Sequence, residues 1–171
     1  MKNKKPYMYK HYKSANHGNT TKCTRKRGTS AEPDYIVVHN TGTSASALNN
    51  CIYFNREGAS TNASADFFID KDGKIYQYNA MQKAYSWHCG DGHGKYGITN
   101  KNSVGIEVVS AEVEFTKAQV SSLKSLVKWL MEFFDIDAEH VVRHYDASRK
   151  KCPAAYIDGD KWKALRKSIT A

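Results

Sequence analysis

The apolar positions change period several times along the chain. Residues 1–34 are polar and basic and show no apolar period, so they read as an extended arm closed by Pro33. Tyr35–His39 (YIVVH) is a continuous run rich in β-branched residues, the signature of a buried strand. A loop of Gly, Ser and Thr follows. Ala47, Leu48, Cys51, Ile52 and Phe54 then recur at helical spacing up to Gly58, with Ser44 or Ser46 as N-cap. That spacing puts Cys51 on the core side of the helix, where a free cysteine packs as a small apolar group. In ADFFIDKDGKIYQYN two strand-like runs flank Asp70–Gly73, which predicts a β-hairpin. Ala84–Asn102 has no period and reads as a long loop, and long loops inside compact domains are usually functional or mobile. Ser103–Ser110 (SVGIEVVS) is a second buried strand. From Thr116 to Phe134 the residues Val120, Leu123, Leu126, Val127, Leu130 and Phe134 share one helical face; Thr116 caps the helix and Phe115 staples back toward Val120. His140–Arg143 is a short strand, and Trp162, Leu165 and Ile169 mark a last helix over Asp158–Ile169. The order of elements predicts an α/β single domain with a central mixed β-sheet flanked by helices.

Composition agrees with one core. The chain has 171 residues, 40% of them hydrophobic and 25% charged, which excludes a disordered chain. The charge is distributed unevenly. Residues 1–31 hold nine of the 26 Lys and Arg and no acid, so the remaining 140 residues carry 17 bases against 17 acids. Residues 1–31 are therefore a basic N-terminal arm on a neutral domain of residues 32–171. Such an arm is drawn to polyanions, whether nucleic acid, anionic lipid or an anionic wall polymer. Eleven tyrosines hint at a groove for a polar ligand, though half-buried strand positions account for most of them. The basic start lacks the apolar stretch of a signal peptide and no run is long enough to span a membrane, so a cytoplasmic site of synthesis is expected. Four cysteines without regular spacing read as reduced thiols rather than a disulfide framework.

The chemistry concentrates in VVRHYDASRKKCP, residues 141–153. A catalytic zinc needs three protein ligands and one open position. His39 ends a rigid strand, His144 follows a short β-type run, and Cys152 lies a loop away, so the three could converge. A strand-end histidine that is merely hydrogen-bonded, and a cysteine that merely packs before a proline, fit the same residues. His88, Cys89 and His93 in WHCGDGH form a competing set on a glycine-rich loop that holds geometry poorly. The residues alone leave these alternatives open.

Five segments in this order, YIVVHNT, ADFFIDKDGKIYQ, WHCG, NSVGIEV and HYDASRKKCP, resemble the zinc-dependent N-acetylmuramoyl-L-alanine amidases of phage lysozymes, wall autolysins and peptidoglycan recognition proteins. The resemblance covers Tyr35 to about Trp162. It implies zinc held by His39, His144 and Cys152, with Glu107 acting on the water and Lys150 beside the oxyanion. It implies that Trp87 and His88 border the substrate cleft. The chain departs from the phage lysozyme-type members, which carry a Tyr-His pair before the hairpin; here Ala65 and Asp66 stand there. That departure throws more of the chemistry onto Glu107 and leaves the groove near Asp66 undefined. The implied activity is cleavage of the amide between N-acetylmuramic acid and L-alanine in peptidoglycan, by a monomer without a wall-binding domain after Ala171. An endolysin reaching the wall after release fits, with the arm attaching to anionic wall polymers. A non-catalytic peptidoglycan-binding module and a nucleic-acid binder are the alternatives. Cys152 counts against the first, because the family's binders typically lack it. The neutral body counts against the second.

Overall fold

The computed structural model describes residues 3–10, 33–55, 63–81 and 84–171. Six strands form one sheet: β1 (Tyr9–Lys10), β2 (Tyr35–Asn40), β3 (Phe67–Ile69), β4 (Ile75–Gln77), β5 (Ser103–Val108) and β6 (Val141–Arg143), in the order β1-β4-β3-β5-β2-β6. The β3–β4 hairpin is antiparallel and every other pairing is parallel, so the sheet is mixed as the sequence predicts. Among the described residues four helices accompany it: α1 (Ala47–Phe54), α2 (Lys117–Phe134), α3 (His144–Ser148) and α4 (Gly159–Thr170).

Alternation along the strands divides the sheet into two unlike faces. Ile36, Val38, Phe67, Ile69, Ile75, Val104, Ile106, Val108 and Val141 all turn to one side. There they form the main core with Leu123, Leu126, Val127 and Leu130 of α2 and Trp162, Leu165 and Ile169 of α4. Each fully buried Ile, Leu or Phe contributes roughly 1.5–3 kcal/mol, so this face supplies most of the stability. α2 starts where the sequence places it. The Thr116 hydroxyl accepts from Gln119 N–H at 3.1 Å, and the Gln119 side chain accepts from Thr116 N–H at 2.9 Å. Ser46, one of the two expected caps, closes α1 by accepting from Asn49 N–H.

The other face carries a smaller apolar patch, where α1 packs through Ala47 and Cys51 on Phe68, Tyr78 and Val109. Cys51 is fully buried there, as its spacing implies. The rest of this face holds a third small cluster of Val37, Cys89, Ile98 and Ala147, several polar residues, and the long loop 84–102, which contains a 3-10 turn at Gly90–Gly92.

Two elements differ from the sequence reading. His144 follows β6 directly, as expected, but it opens α3, a five-residue helix that the sequence reading does not include and that is too short for a periodic signal. Residues 3–10, counted with the arm, lie on the sheet. Tyr9 and Lys10 pair with Tyr76 and Gln77, and Met8 enters the main core. The rest of the arm's basic cluster, residues 11–31, and the expected helix end at Gly58 lie outside the described residues.

Candidate functional site

Strand register brings the site together. β2 pairs with β5 so that His39 stands directly beside Glu107, on the face away from the main core. On its other side β2 pairs with β6 through Val38 and Arg143, which delivers the next residue, His144, to the level of His39. The chain leaves α3 at Arg149 in the left-handed region and returns to Tyr145, whose N–H donates to the Cys152 carbonyl at 2.9 Å. Cys152 is thereby set at the end of β2, where its thiol accepts from Asn40 N–H at 3.4 Å. His39 Nδ1 lies 3.0 Å from His144 Nδ1 and 3.9 Å from Cys152 Sγ. All three ligand atoms lie within 4.8 Å of one another, the one such group of three among the described residues.

The surrounding hydrogen bonds decide where the protons are. Ser103 Oγ has a single hydrogen and donates it to the Thr99 carbonyl. His88 Nε2, 3.0 Å from the same oxygen, must then carry its own hydrogen and donate it. Burial drives the His88 imidazole down to about 3, so it is neutral and its Nδ1 is a bare acceptor. That acceptor lies 3.0 Å from His39 Nε2, which must be the donor. On the far side His144 Nε2 donates to Asp91 Oδ1 at 2.8 Å. Burial also lowers the values of His39 and His144, the first further because its neighbours His144, His88 and Lys150 oppose a proton on it, and the second against the pull of Asp91. Both imidazoles are neutral at pH 7, and both use their protons elsewhere. Their two Nδ1 lone pairs face each other across 3.0 Å, which is repulsive unless a cation lies between them.

Two glycines permit this arrangement by close approach. A Cβ on Gly105 would lie 2.5 Å from His88 Cγ, so only glycine lets the ring lie flat against the sheet beside His39. A Cβ on Gly92 would lie 2.2 Å from the Ala147 carbonyl, so the turn bearing Asp91 packs directly on α3.

The donor set fits zinc. Two imidazole nitrogens and a sulfur are its common ligands, and tetrahedral coordination at zinc bond lengths needs N···N near ~3.3 Å and N···S near ~3.6 Å. Each second ring nitrogen is anchored, as ligating histidines require. The cleft in front of the triad has a volume of about 310 Å³, and Glu107, Trp87, His88 and Lys150 border it along with the triad itself. A second hollow of about 460 Å³ shares Trp87, His88, His144 and Lys150 and extends past Asp91.

Glu107 is the electrostatic outlier. Its Oε2 is buried and finds no hydrogen-bond partner among the described residues. Burial raises its carboxyl to about 7 against the opposing pull of Lys150. The Cys152 thiol is likewise pushed up to about 12 by burial and by the neighbouring Glu107. Asp91 is held below the usual carboxylate range, because its bond to His144 and the nearby charges of His144 and Lys150 outweigh its own burial.

All seven candidate residues thus meet at one cleft: His39, His144, Cys152, Glu107, Lys150, Trp87 and His88. The competing set does not assemble. Cys89 turns into a small core with Val37, Ile98 and Ala147, and His93 is exposed. Asp66 is buried and structural, accepting from Asn79, Ser86 and Gly105 N–H, each at 2.8 Å. Sequence reasoning missed Asp91, Ser103, Asn40 and Asn100. Asn40 accepts from Ala154 N–H, and its amide donates to the Ser110 and Ala111 carbonyls, which ties the Cys152 loop to the end of β5. Asn100 accepts from the His88 and Cys89 N–H groups. Asp91, an acid three residues from His88, carried a readable signal; the others carried none.

The raised carboxyl of Glu107 sets a pH-dependent cost. Below about pH 4.5 it is neutral both folded and unfolded, and above about pH 7 it is ionised in both, with the full penalty of the folded state. Between those values rising pH destabilises the fold, by about 3 kcal/mol in all. In metal-free protein, Glu107→Gln should therefore gain roughly 2–3 kcal/mol on wild type between about pH 4 and pH 8. Urea unfolding in chelator measures this, and a gain independent of pH would mean that the carboxyl is solvated.

Known proteins resemble this chain in both sequence and fold. Residues 29–155 match the family model described as N-acetylmuramoyl-L-alanine amidase (Amidase_2). The chain is 32% identical over 146 residues to the N-acetylmuramoyl-L-alanine amidase CwlH of Bacillus subtilis, covering 84% of this chain and 56% of that protein. It is 34% identical over 144 residues to the N-acetylmuramoyl-L-alanine amidase XlyA of the same organism, covering 83% of this chain and 46% of XlyA. The chain thus spans about half the length of these relatives. Among solved structures, the catalytic domain of XlyA superimposes with a TM-score of 0.71 at 30% identity, covering 96% of this chain and 99% of that domain. PlyL, at 23% identity and a TM-score of 0.75 over 97% of this chain and 98% of its own, shares the fold. With three quarters of its length inside the family model, this chain belongs to the N-acetylmuramoyl-L-alanine amidase family.

Proposed function

We propose that the chain hydrolyses the amide bond between N-acetylmuramic acid and L-alanine in bacterial peptidoglycan, as an endolysin-like enzyme acting on the cell wall, with one zinc ion held by His39, His144 and Cys152. The observation that carries this reading is the pair of Nδ1 lone pairs held face to face beside a thiol. Bound there, zinc supplies a Lewis acid and lowers the pKa of water at the site to about 7.

The chain's own residues supply the rest. Glu107 lies beside His39 with a bare carboxylate oxygen and a value near 7, suited to take a proton from the attacking water and return it to the leaving amine. Lys150, exposed at the mouth of the cleft, offers its ammonium to the oxyanion that forms on the scissile carbonyl. Trp87, half-buried on the wall shared by both hollows, offers a flat face to substrate. His88 borders the same wall, and because both its ring nitrogens are engaged, its larger role is to orient His39. None of the described helices is long and apolar enough to cross a membrane. The basic residues of segment 1–31 raise encounter with anionic wall polymers and take no part in the chemistry.

Three outcomes are expected. Glu107→Ala should lower turnover of a muramoyl-L-alanine amide by about 10²–10⁴-fold while elemental analysis still finds one zinc per chain, whereas Cys152→Ala should lose the metal. Full activity of zinc-free protein in chelator would end the reading. His88→Ala should weaken zinc binding by about 10–100-fold in a chelator competition, and His88→Asn, which keeps an acceptor facing His39, should recover part of it. Unchanged affinity in both would deny His88 an orienting role. Replacing Lys13, Lys22, Arg25, Lys26 and Arg27 by Gln should slow lysis of whole walls most at low salt, where the Debye length is about 30 Å at 0.01 M against about 8 Å at 0.15 M. Cleavage of a small soluble muramyl peptide should not change; an equal loss on both substrates would contradict the role given to the arm.

A further inference from the structure

The row of residues that carries the site continues across the sheet. His39 pairs with Glu107, Glu107 with Phe68, Phe68 with Tyr76, and Tyr76 with Tyr9. Residues paired in this way share a face, so five strands present one line of side chains. Phe68 is covered by α1. Beyond it the line surfaces again as tyrosines. Tyr9 stacks on Tyr76 with centroids 5.1 Å apart and planes at 24°, and Tyr7 meets Tyr9 edge-on at 5.1 Å. Tyr7 is 77% exposed and Tyr9 39%. Four strand spacings separate Tyr9 from His39, about 19 Å.

We infer that Tyr7, Tyr9 and Tyr76 form a second binding site, for the sugar rings of a glycan. A single exposed tyrosine is ordinary, whereas two exposed rings stacked in line on a third, half-buried one are not. This one is not the end of a loose segment. Met8, between the two tyrosines, is buried in the main core, Asn3 donates to Glu132 and to the Lys128 carbonyl, and the Lys5 ammonium lies 5.2 Å over the Trp129 ring. The fold thus anchors residues 3–10 and still presents the rings to solvent. A hollow of about 330 Å³ adjoins Tyr7 and Tyr9, edged by Asp72, Lys74, Ser121 and Ser125, whose hydroxyl donates to the Ser121 carbonyl and keeps its acceptor positions.

The chemistry of this hollow selects the ligand. A pyranose has an apolar C–H face for an aromatic ring and a rim of hydroxyls that both donate and accept. The ladder supplies the ring face, and the serine hydroxyls, carboxylate and ammonium supply both kinds of partner. Asp72 and Lys74 pair with each other at 2.8 Å, which cancels their charge. A phosphate polymer gains little from such a site, and an uncharged sugar loses nothing. The choice of glycan rests on the proposed peptidoglycan substrate, but sugar binding here needs neither metal nor turnover.

The test uses tetra-N-acetylchitotetraose, a β-1,4-linked N-acetylglucosamine chain with no peptide amide to cleave. Titrated into the full chain, it should shift backbone NMR signals around residues 7–9 and 72–76. Tyr7→Ala, at a position too exposed to support the fold, should weaken binding at least tenfold, and Tyr7→Phe should keep most of it. Both variants should cleave a small soluble muramyl peptide at the wild-type rate, while Tyr7→Ala lyses whole walls several-fold more slowly. Shifts confined to the triad cleft, unchanged binding by Tyr7→Ala, or preference for a glycerol-phosphate oligomer would each overturn the inference. Sugar binding intact in a protein that cleaves no muramoyl amide would instead count against the amidase reading.

Discussion

Two imidazole lone pairs 3.0 Å apart are the constraint around which the rest of the site is organised. Nothing local holds them there. His39 is fixed by its strand and by a donor bond to His88, which is fixed in turn by Ser103 and by the missing side chain at Gly105. His144 is fixed by Asp91, which sits on a turn that Gly92 allows to touch α3. Each anchor takes the proton that would otherwise relieve the repulsion. A protein that needed only two packed histidines would let one donate to the other. Here the hydrogen-bond network denies that exchange and leaves the space between them suited to a cation.

The two faces of the sheet make this arrangement affordable. One face buries apolar side chains of β2 to β6, with Met8 ahead of β1, against α2 and α4, so the other can carry groups that cost stability. The contrast between two acids on that second face is instructive. Asp66 accepts three hydrogen bonds and ties the hairpin to loop 84–102 and to β5. Glu107, one strand away, has an oxygen with no partner and a raised value. A buried carboxylate that is fully bonded serves the fold. One left bare costs a few kcal/mol and persists where chemistry needs it.

Much of this was legible in the sequence because it rests on local rules. Continuous β-branched runs gave β2 and β5, turn chemistry gave the hairpin, and Thr116 gave the start of α2. The candidate site followed from residue type at rigid element ends, sharpened by the resemblance. What escaped was non-local or too short. α3 spans five residues, less than two turns, so no period can declare it. β1 spans two residues in a basic segment, and its place depends on a free edge at β4 and on one methionine. Ser103 and Asn100 act through atoms that only folding brings near His88. Asp66 stood in the groove by sequence position and left it once three donors surrounded it.

The ionisation states tie the site together. Without a cation the thiol of Cys152, raised to about 12, is protonated at neutral pH, and Glu107, near 7, is only partly ionised. Both shifts come first from burial, and Glu107 also pushes Cys152 upward. A divalent cation beside them reverses the sign of the local field. It draws Cys152 toward thiolate, the form that ligates, and Glu107 toward carboxylate, the form that accepts a proton. In the proposed reading the same charge that relieves the facing lone pairs therefore prepares both acids. On that reading the site would be idle without the metal, and the two acids would change state together on its binding.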